Sequence, residues 1–345
     1  LQPYVANGTG TAVFVANFGS DSSFAGNKTP QANQDSNGIG DFYYAPPNGF
    51  LSLCSKNLPD ATVIPSENFN TVLYTGNDST NVITGVGFKS DLSWWKKRNA
   101  ATDHALIDSV RGVTKHLVSN TANAEITANV GTELVSFDSD GFTLGAAAQT
   151  NSINGASASI VAWNWKAGGS ASSNSNGTVN SSVSANVDAG FSIVTYTGNG
   201  ANDGTGQNST VGHGLAQKPE LIIRKDRDTN GTSWVVQSTL LGSGNMNLAL
   251  FLNNSSAVDG GQGYMNNTAP TSTVFTLGNQ VFVNVSGRDY ISYCFHSVDG
   301  YSKIGKYVGN GNANGPFVHC GFRPAFVIFK KTNAARSWPI QDSKR

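Results

Sequence analysis

Charge is scarce in this sequence. Asp, Glu, Lys and Arg make up 13% of its 345 residues, about half of what a soluble domain usually carries. Only four Glu occur in the whole chain, which removes the salt-bridged surface that long solvent-facing helices depend on. Lys plus Arg equals Asp plus Glu, at 22 each, so no basic footprint points to nucleic acid or to an anionic membrane. Apolar runs stay well short of the roughly 18 residues of a helical membrane span, and no membrane insertion is expected. The opening "LQPYVANGTG" has no charged region ahead of an apolar core and does not read as a signal peptide. Three cysteines, Cys54, Cys294 and Cys320, are too few and too scattered for a disulfide framework or a zinc site. They read as free thiols folded in a reducing compartment.

Glycine is abundant, at 39 residues, and Asn, Ser and Thr are frequent. Gly and Asn supply the backbone angles that tight turns need. Short strands joined by many turns follow, so the fold class is all-β: tandem antiparallel sandwiches or jelly-roll-like domains in series.

The chain repeats itself. "FNTVLYTGNDST" (69–80) returns as "FSIVTYTGNGAN" (191–202) and, shortened, as "GKYVGNGNAN" (305–314). Tyr74, Tyr196 and Tyr307 anchor the copies, 122 and then 111 residues apart. After each comes an apolar run closing in cations: "GFKSDLSWWKK" (87–97), "GLAQKPELIIRK" (214–225) and "GFRPAFVIFKK" (321–331). Then comes "DSVR" from Asp108 to Arg111, matched by "DSKR" from Asp342 to Arg345 and, in the middle copy, by "QSTL" from Gln237 to Leu240. "DGFTLG" (140–145) answers "STVFTLG" (272–278), and "SIVAWNWKAGGS" (159–170) answers "DYISYCFHSVDG" (289–300). A period of 110 to 120 residues is domain-sized, so these are tandem domains and not solenoid turns.

Period-two alternation places Trp163 and Trp165 on one side of their strand and Asn164 on the other, with Tyr293 and Phe295 as their counterparts. "LIIRK" and "FVIFKK" read as strands covered on both faces whose terminal cations reach solvent. Residues 168–190 hold only Val among larger apolar residues and read as a connector whose end is placed to join the next sheet as an edge strand. The resulting division is 1–60, repeat 1 at 61–167, linker at 168–189, repeat 2 at 190–305, and a partial repeat 3 at 306–345, about a third of a period long. The chain is read as an internal piece of a longer one.

In residues 1–60, "ANFG", "FYYAPPNGF" and "NLP", in that order, resemble the closing strands of SPRY-type, concanavalin-like sandwiches. The repeats, with "DSVRG", "SF.SDGFTLG" and "VAWNWKAG", resemble modules of tail-fibre-like structural proteins of marine phages. That resemblance implies a non-enzymatic virion protein on the exterior of the particle, folded in the host cytoplasm. It also implies a homotrimer, with other tail proteins and a host cell-surface glycan or protein as partners. It brings no cofactor and no catalytic residue.

The segment "DLSWWKKRNAATDHALIDSVRG" (91–112) crowds Asp103, His104, Asp108, Ser109 and Arg111 together and raises the possibility of a Ser-His-Asp site. Its own copies argue otherwise. Asp108 and Arg111 recur as Asp342 and Arg345 but give way together to Gln237 and Leu240, as a salt bridge would. His104 becomes Trp338 in the third copy. Asp138 and Asp140 offer a carboxylate pair or a calcium loop, yet their counterparts are Thr271 and Thr273, which favours a turn with Gly141 at positive φ. No metal-ligand spacing links the histidines. The six Trp read mainly as core. Two other function classes stay open: a glycan-binding or depolymerising spike, and a bacterial extracellular filament or adhesin.

Overall fold

A computed structural model describes residues 15–57, 63–148, 152–200, 209–242, 244, 246–260 and 263–344. The chain divides into two compact units, Leu1–Ala61 and Thr62–Arg345. Described residues of the first unit form no strand, only a bridge between Asn33 and Phe42. Side chains hold it instead. Buried Asp35 accepts from the backbone N–H groups of Asn37, Ile39 and Ser52 and from Asn57 Nδ2. The expected closing strands are therefore not seen in residues 15–57, where Asx-type turns satisfy the backbone locally.

The second unit contains the repeats. In the first module the strands are β1 (Phe69–Thr75), β2 (Asn81–Thr84), β3 (Leu92–Lys97), β4 (His104–Asp108), β5 (Lys115–His116), β6 (Ile126–Thr127), β7 (Leu134–Asp138), β8 (Gly141–Leu144) and β9 (Ser159–Trp165). One sheet runs β1-β9-β3-β4 and the facing one β2-β8-β7. In the second module come β10 (Ser172–Asn174), β11 (Ser181–Asn186), β12 (Phe191–Thr197), β13 (Ser209–Gly212), β14 (Leu221–Asp226), β15 (Val235–Ser238), β16 (Leu250–Phe251), β17 (Val274–Leu277) and β18 (Asp289–Phe295). Here the order β12-β18-β14-β15 reproduces β1-β9-β3-β4, and β13-β17 reproduces β2-β8. The third module contributes β19 (Phe326–Ile328) and β20 (Ile340–Asp342), paired as β3 is with β4. Among the described residues the ladders between these strands are antiparallel, with isolated parallel bridges at Thr132–Ala146 and Val179–Val211.

Each sandwich is closed by the same device. Tyr74 donates to the Ile153 carbonyl at 2.7 Å and Tyr196 to the Val283 carbonyl at 2.8 Å. The side chains of Asn154 and Asn284 accept from the backbone of Asn77 and Asn199.

Alternation along the central strands has an additional meaning. Ile160 and Ala162 of β9 point into the first sandwich with Trp95 and Phe142, while Val161, Trp163 and Trp165 point out of it. Tyr290 and Cys294 of β18 likewise face the second sandwich, and Ile291, Tyr293 and Phe295 face outward. The two outward sets meet. Together with Trp234, Leu241, Phe326, Trp338 and Ile340 they form one hydrophobic core to which all three modules contribute. The modules follow one another in sequence but share a core in space, which is why the central strands are apolar on both faces.

Two expectations are corrected. The end of residues 168–189 does join the next sheet, as β11 beside β12, but their earlier part is not a linker: β10 adds a further strand, and Val179, Ser181, Val183 and Ser184 are buried. Their small side chains suit a close approach, since a Cβ on Gly168 would lie 2.5 Å from the Ala185 carbonyl oxygen. The strand-end cations do not all reach solvent either. Arg224 and Lys225 are fully buried. Arg224 lies opposite Ser292 as Trp95 lies opposite Ala162, and it meets Phe275 (4.7 Å to the ring centroid) as Trp95 meets Phe142 (5.4 Å).

Candidate functional site: the polar junction between modules

β4 ends at Asp108, and the chain turns sharply there because Asp108 Oδ1 accepts from the backbone N–H groups of Val110 (3.1 Å) and Arg111 (2.9 Å). This turn carries the Arg111 side chain back over the carboxylate. Arg111 Nε donates to Asp108 Oδ2 at 2.6 Å, and both side chains are completely buried. The remaining donors are used as well. Nη1 reaches Glu125 at 3.0 Å and the Lys115 carbonyl, and Nη2 reaches the Leu106 carbonyl. Burial alone would depress the guanidinium, but Asp108, Tyr293 and Glu125 outweigh it and hold Arg111 above its ordinary pKa.

The pair also joins two modules. Tyr293 of β18 donates its hydroxyl to Asp108 Oδ2 at 2.8 Å, and Arg111 Nη2 stands 3.3 Å from the same hydroxyl. Glu125 extends the network by accepting from Arg227 Nε (2.9 Å) and Nη2 (3.0 Å). Burial would raise the Glu125 carboxyl, but Arg227 and Arg111 bring it below its usual value.

The motif recurs with changed chemistry. Asp342 Oδ1 accepts from the Lys344 N–H at 3.0 Å, and Oδ2 accepts from Trp163 Nε1 of the first module at 3.1 Å. Trp163 and Tyr293 are equivalent, lying opposite Trp94 and Ile223 in their ladders. Arg345, the expected partner of Asp342, lies outside the described residues. In the second module the ladder pairs Leu221 with Ser238, as Leu92 pairs with Asp108 and Phe326 with Asp342. Ser238 makes the same turn, accepting from the Leu240 N–H at 3.2 Å. Ser238 and Leu241 are thus the counterparts of Asp108 and Arg111, one residue beyond the expected Gln237 and Leu240. The two charges are still replaced together.

Bonds to the backbone across the one–two and two–three junctions repeat one for one. Trp234 Nε1 donates to the Val118 carbonyl at 2.8 Å, and Trp338 Nε1 to the Phe251 carbonyl at 2.8 Å. The Glu125 N–H donates to the Arg227 carbonyl as the Val258 N–H does to the Thr332 carbonyl, and Gly231 to Ala122 as Arg336 to Ser255. Phe326 of the third module packs on Phe69, Trp163 and Trp165 of the first. Contacts therefore run from module one to two, two to three and three to one.

The residues that suggested a catalytic triad are not assembled as one. Ser109 Oγ donates to Asp91 at 2.8 Å, and His104, at the far end of β4, accepts from Trp94 Nε1 at 2.9 Å. Asp103 accepts from Asn120 Nδ2. Asp140 anchors a loop by accepting from the N–H groups of Gly85 and Gly87, while Asp138 accepts from the hydroxyls of Ser136 and Thr143. Gly141 takes φ +151°, where a Cβ would lie 2.0 Å from the Ile83 carbonyl oxygen. Among the described residues no three His, Cys, Asp or Glu are grouped to hold a metal. An open depression of about 680 Å³ lies beside Asn68, Lys89, Lys166, Asn186 and Asp188, with no nucleophile paired to a base on its wall. Sequence reasoning found Asp108 and Arg111 but missed Tyr293 as their partner. It also missed Glu125 and Arg227, whose signal was rarity: Glu125 is one of four Glu in the chain.

Fold and junction define an all-β protein of quasi-equivalent sandwich modules tied together by a buried polar network. Residues 64–345 match the family described as Domain of unknown function (DUF7483), and the chain belongs to that family. No curated protein and no solved structure matches it.

Proposed function

We propose that this protein is a structural segment of a phage tail fibre. In this reading it is carried on the exterior of the virion, attached to other tail proteins and directed toward a glycan or protein on the host surface. The observation that carries the reading is how its densest polar residues are used. Asp108, Arg111, Glu125 and Tyr293 are spent on a buried junction whose backbone bonds recur between the second and third modules. Such a body resists bending at the module boundaries, because each boundary is a packed core and not a linker. Repetition along a fibre, and the three-chain assembly that the resemblance implies, would multiply weak surface contacts into avidity.

Immunogold electron microscopy with antibodies raised against residues 64–345 tests this on particles produced from the gene's source. Label along the tail is the expected result. Label on cell-surface filaments in the absence of particles would overturn it in favour of an extracellular filament protein.

A further inference from the structure

The core of the second sandwich is polar at places where that of the first is apolar. The ladder registers put Arg224 in the place of Trp95, Gln237 in that of Ile107 and Ser292 in that of Ala162. Trp95, Ile107 and Ala162 belong to the first apolar core, and all three replacements are fully buried. Arg, Gln and Ser together are smaller than Trp, Ile and Ala, so the exchange gives up packing volume as well as apolar surface.

The guanidinium is only partly satisfied. Arg224 Nε donates to Ser292 Oγ at 3.1 Å, while Nη1 and Nη2 have no hydrogen-bond partner. Among the described residues no carboxylate forms an ion pair with it. Asp226, two residues along β14, is taken by Arg288 Nη1 at 3.0 Å. The rings of Phe275 (4.7 Å) and Tyr196 (6.0 Å) cover the cation and accept none of its in-plane N–H groups. Cys294 brings no charge either: burial pushes its thiol up to about 12, with Arg224 opposing. Gln237 spends Nε2 on the Met246 carbonyl and leaves Oε1 free. A buried cation is costly unless it is paired.

We propose that the second sandwich encloses a binding site for a small monovalent inorganic anion, held by the Nη1 and Nη2 fork of Arg224. The fork offers two N–H groups that one halide, or one edge of a planar oxyanion, accepts together. Ser292 and Phe275 hold the guanidinium in place, so the fork is aimed before the anion arrives. Gln237 is the diagonal neighbour of Arg224 across β14 and β15, within reach of the same ligand. Its free Oε1 makes bicarbonate, which carries an O–H to donate, the best fitted of the class. A water on the fork would satisfy the N–H groups and leave the charge unpaired. The first sandwich, with Trp95 in this place, has no such site. This inference rests on the exchange of core residues between modules and is independent of the fibre proposal.

The test is urea unfolding of the full chain at constant ionic strength, with gluconate replaced stepwise by bicarbonate, nitrate or chloride. For a site half filled near about 10 mM, going from about 1 to about 100 mM anion raises the folded-to-unfolded ratio of the wild type about tenfold. Arg224→Met, which loses the fork, is expected to change by less than about twofold over the same range. Its stability advantage over the wild type therefore narrows as anion is added. Crystals of the unaltered protein grown in bromide give a measurement that needs no variant: an anomalous peak at hydrogen-bonding distance from Nη1 and Nη2 is expected. An equal response of wild type and Arg224→Met to all three anions, or bromide sites that leave Arg224 bare, would overturn the proposal in favour of a buried water.

Discussion

Asp108→Asn tests the junction most directly. The carboxylate accepts four hydrogen bonds: from Arg111 Nε, the Tyr293 hydroxyl, and the backbone N–H groups of Val110 and Arg111. Asn keeps one acceptor oxygen and turns an amide N–H₂ toward either the guanidinium or the turn, leaving Arg111 short of one anion in a site with no solvent. Breaking a buried ion pair from one side typically costs about 3–5 kcal/mol. Glu125 still lies 3.0 Å from Arg111, so the low end applies, about 3 kcal/mol. Replacing the pair together by the second module's own residues, Asp108→Ser with Arg111→Leu, removes the stranded charge. It should recover at least about 1.5 kcal/mol relative to the sum of the single changes. Urea unfolding followed by tryptophan fluorescence reads both numbers, because Trp94, Trp163 and Trp234 all sit in the shared core. An Asp108→Asn protein within about 0.5 kcal/mol of wild type, or strictly additive single changes, would refute the reasoning, since ordinary surface substitutions fall in that range.

Trp234→Phe leaves the Val118 carbonyl with only the long bond from the Thr121 N–H (3.5 Å) and should cost roughly 1–3 kcal/mol. Trp338→Phe, at a partly exposed site, should cost less, which paired denaturation curves will show. Arg224→Met should stabilise the second sandwich by about 1–2 kcal/mol. The guanidinium is buried with Nη1 and Nη2 lacking partners among the described residues, and loss of its contact with Phe275 offsets only part of that gain. Acid should destabilise the protein early. Burial pushes His116 down to about 4, with Arg111 adding to the effect. It also pushes His213 down to about 4, with His296 adding to it and the Thr271 carbonyl opposing it. The unfolded chain therefore binds these protons first. Stability is complete above pH 6.5 and falls between about 6.5 and 4, by up to roughly 3 kcal/mol per histidine. Melting temperatures across that range measure it, and His116→Phe should flatten the slope.

The duplication and the alternation of β9 and β18 were legible because Trp163, Trp165, Tyr293 and Phe295 recur at a fixed spacing with a period of two. What their outward side faces was not legible. An apolar face reads the same whether it covers its own sandwich or a neighbour's, and the partner Tyr293 lies 185 residues from Asp108. The slip from Ser238 to Gln237 has a local cause: "QSTL" can be laid on "DSVR" without gaps, and only the ladder distinguishes the two alignments. Matching by chemistry would have helped, because Ser shares with Asp the ability to accept a backbone N–H two residues on. Residues 168–189 were misread since Ser and Ala count as linker composition, although Gly177, with the Thr210 carbonyl oxygen 2.3 Å from where a Cβ would sit, leaves room for nothing larger. Arg224 was expected in solvent because a cation normally is; that it occupies the place of Trp95 follows only from the paired strands.

The junctions keep their backbone bonds and change their side chains, and this division has a physical logic. Bonds such as Trp234 to Val118 and Trp338 to Phe251 recur at two junctions with the same geometry, so they do not tell those neighbours apart; the first module has His104 at this place. The polar pairs differ. A carboxylate flanked by Arg111 meets a phenol at one junction, a carboxylate meets an indole N–H at another, and Ser238 stands at the third. Exchanging Tyr293 and Trp163 would still give each carboxylate a donor, but Asp108 would trade a phenol for a larger indole beside Arg111, and Asp342 an indole for a phenol. The junctions thus differ in the size and donor geometry of the side chains that meet there, not in whether a carboxylate finds a donor.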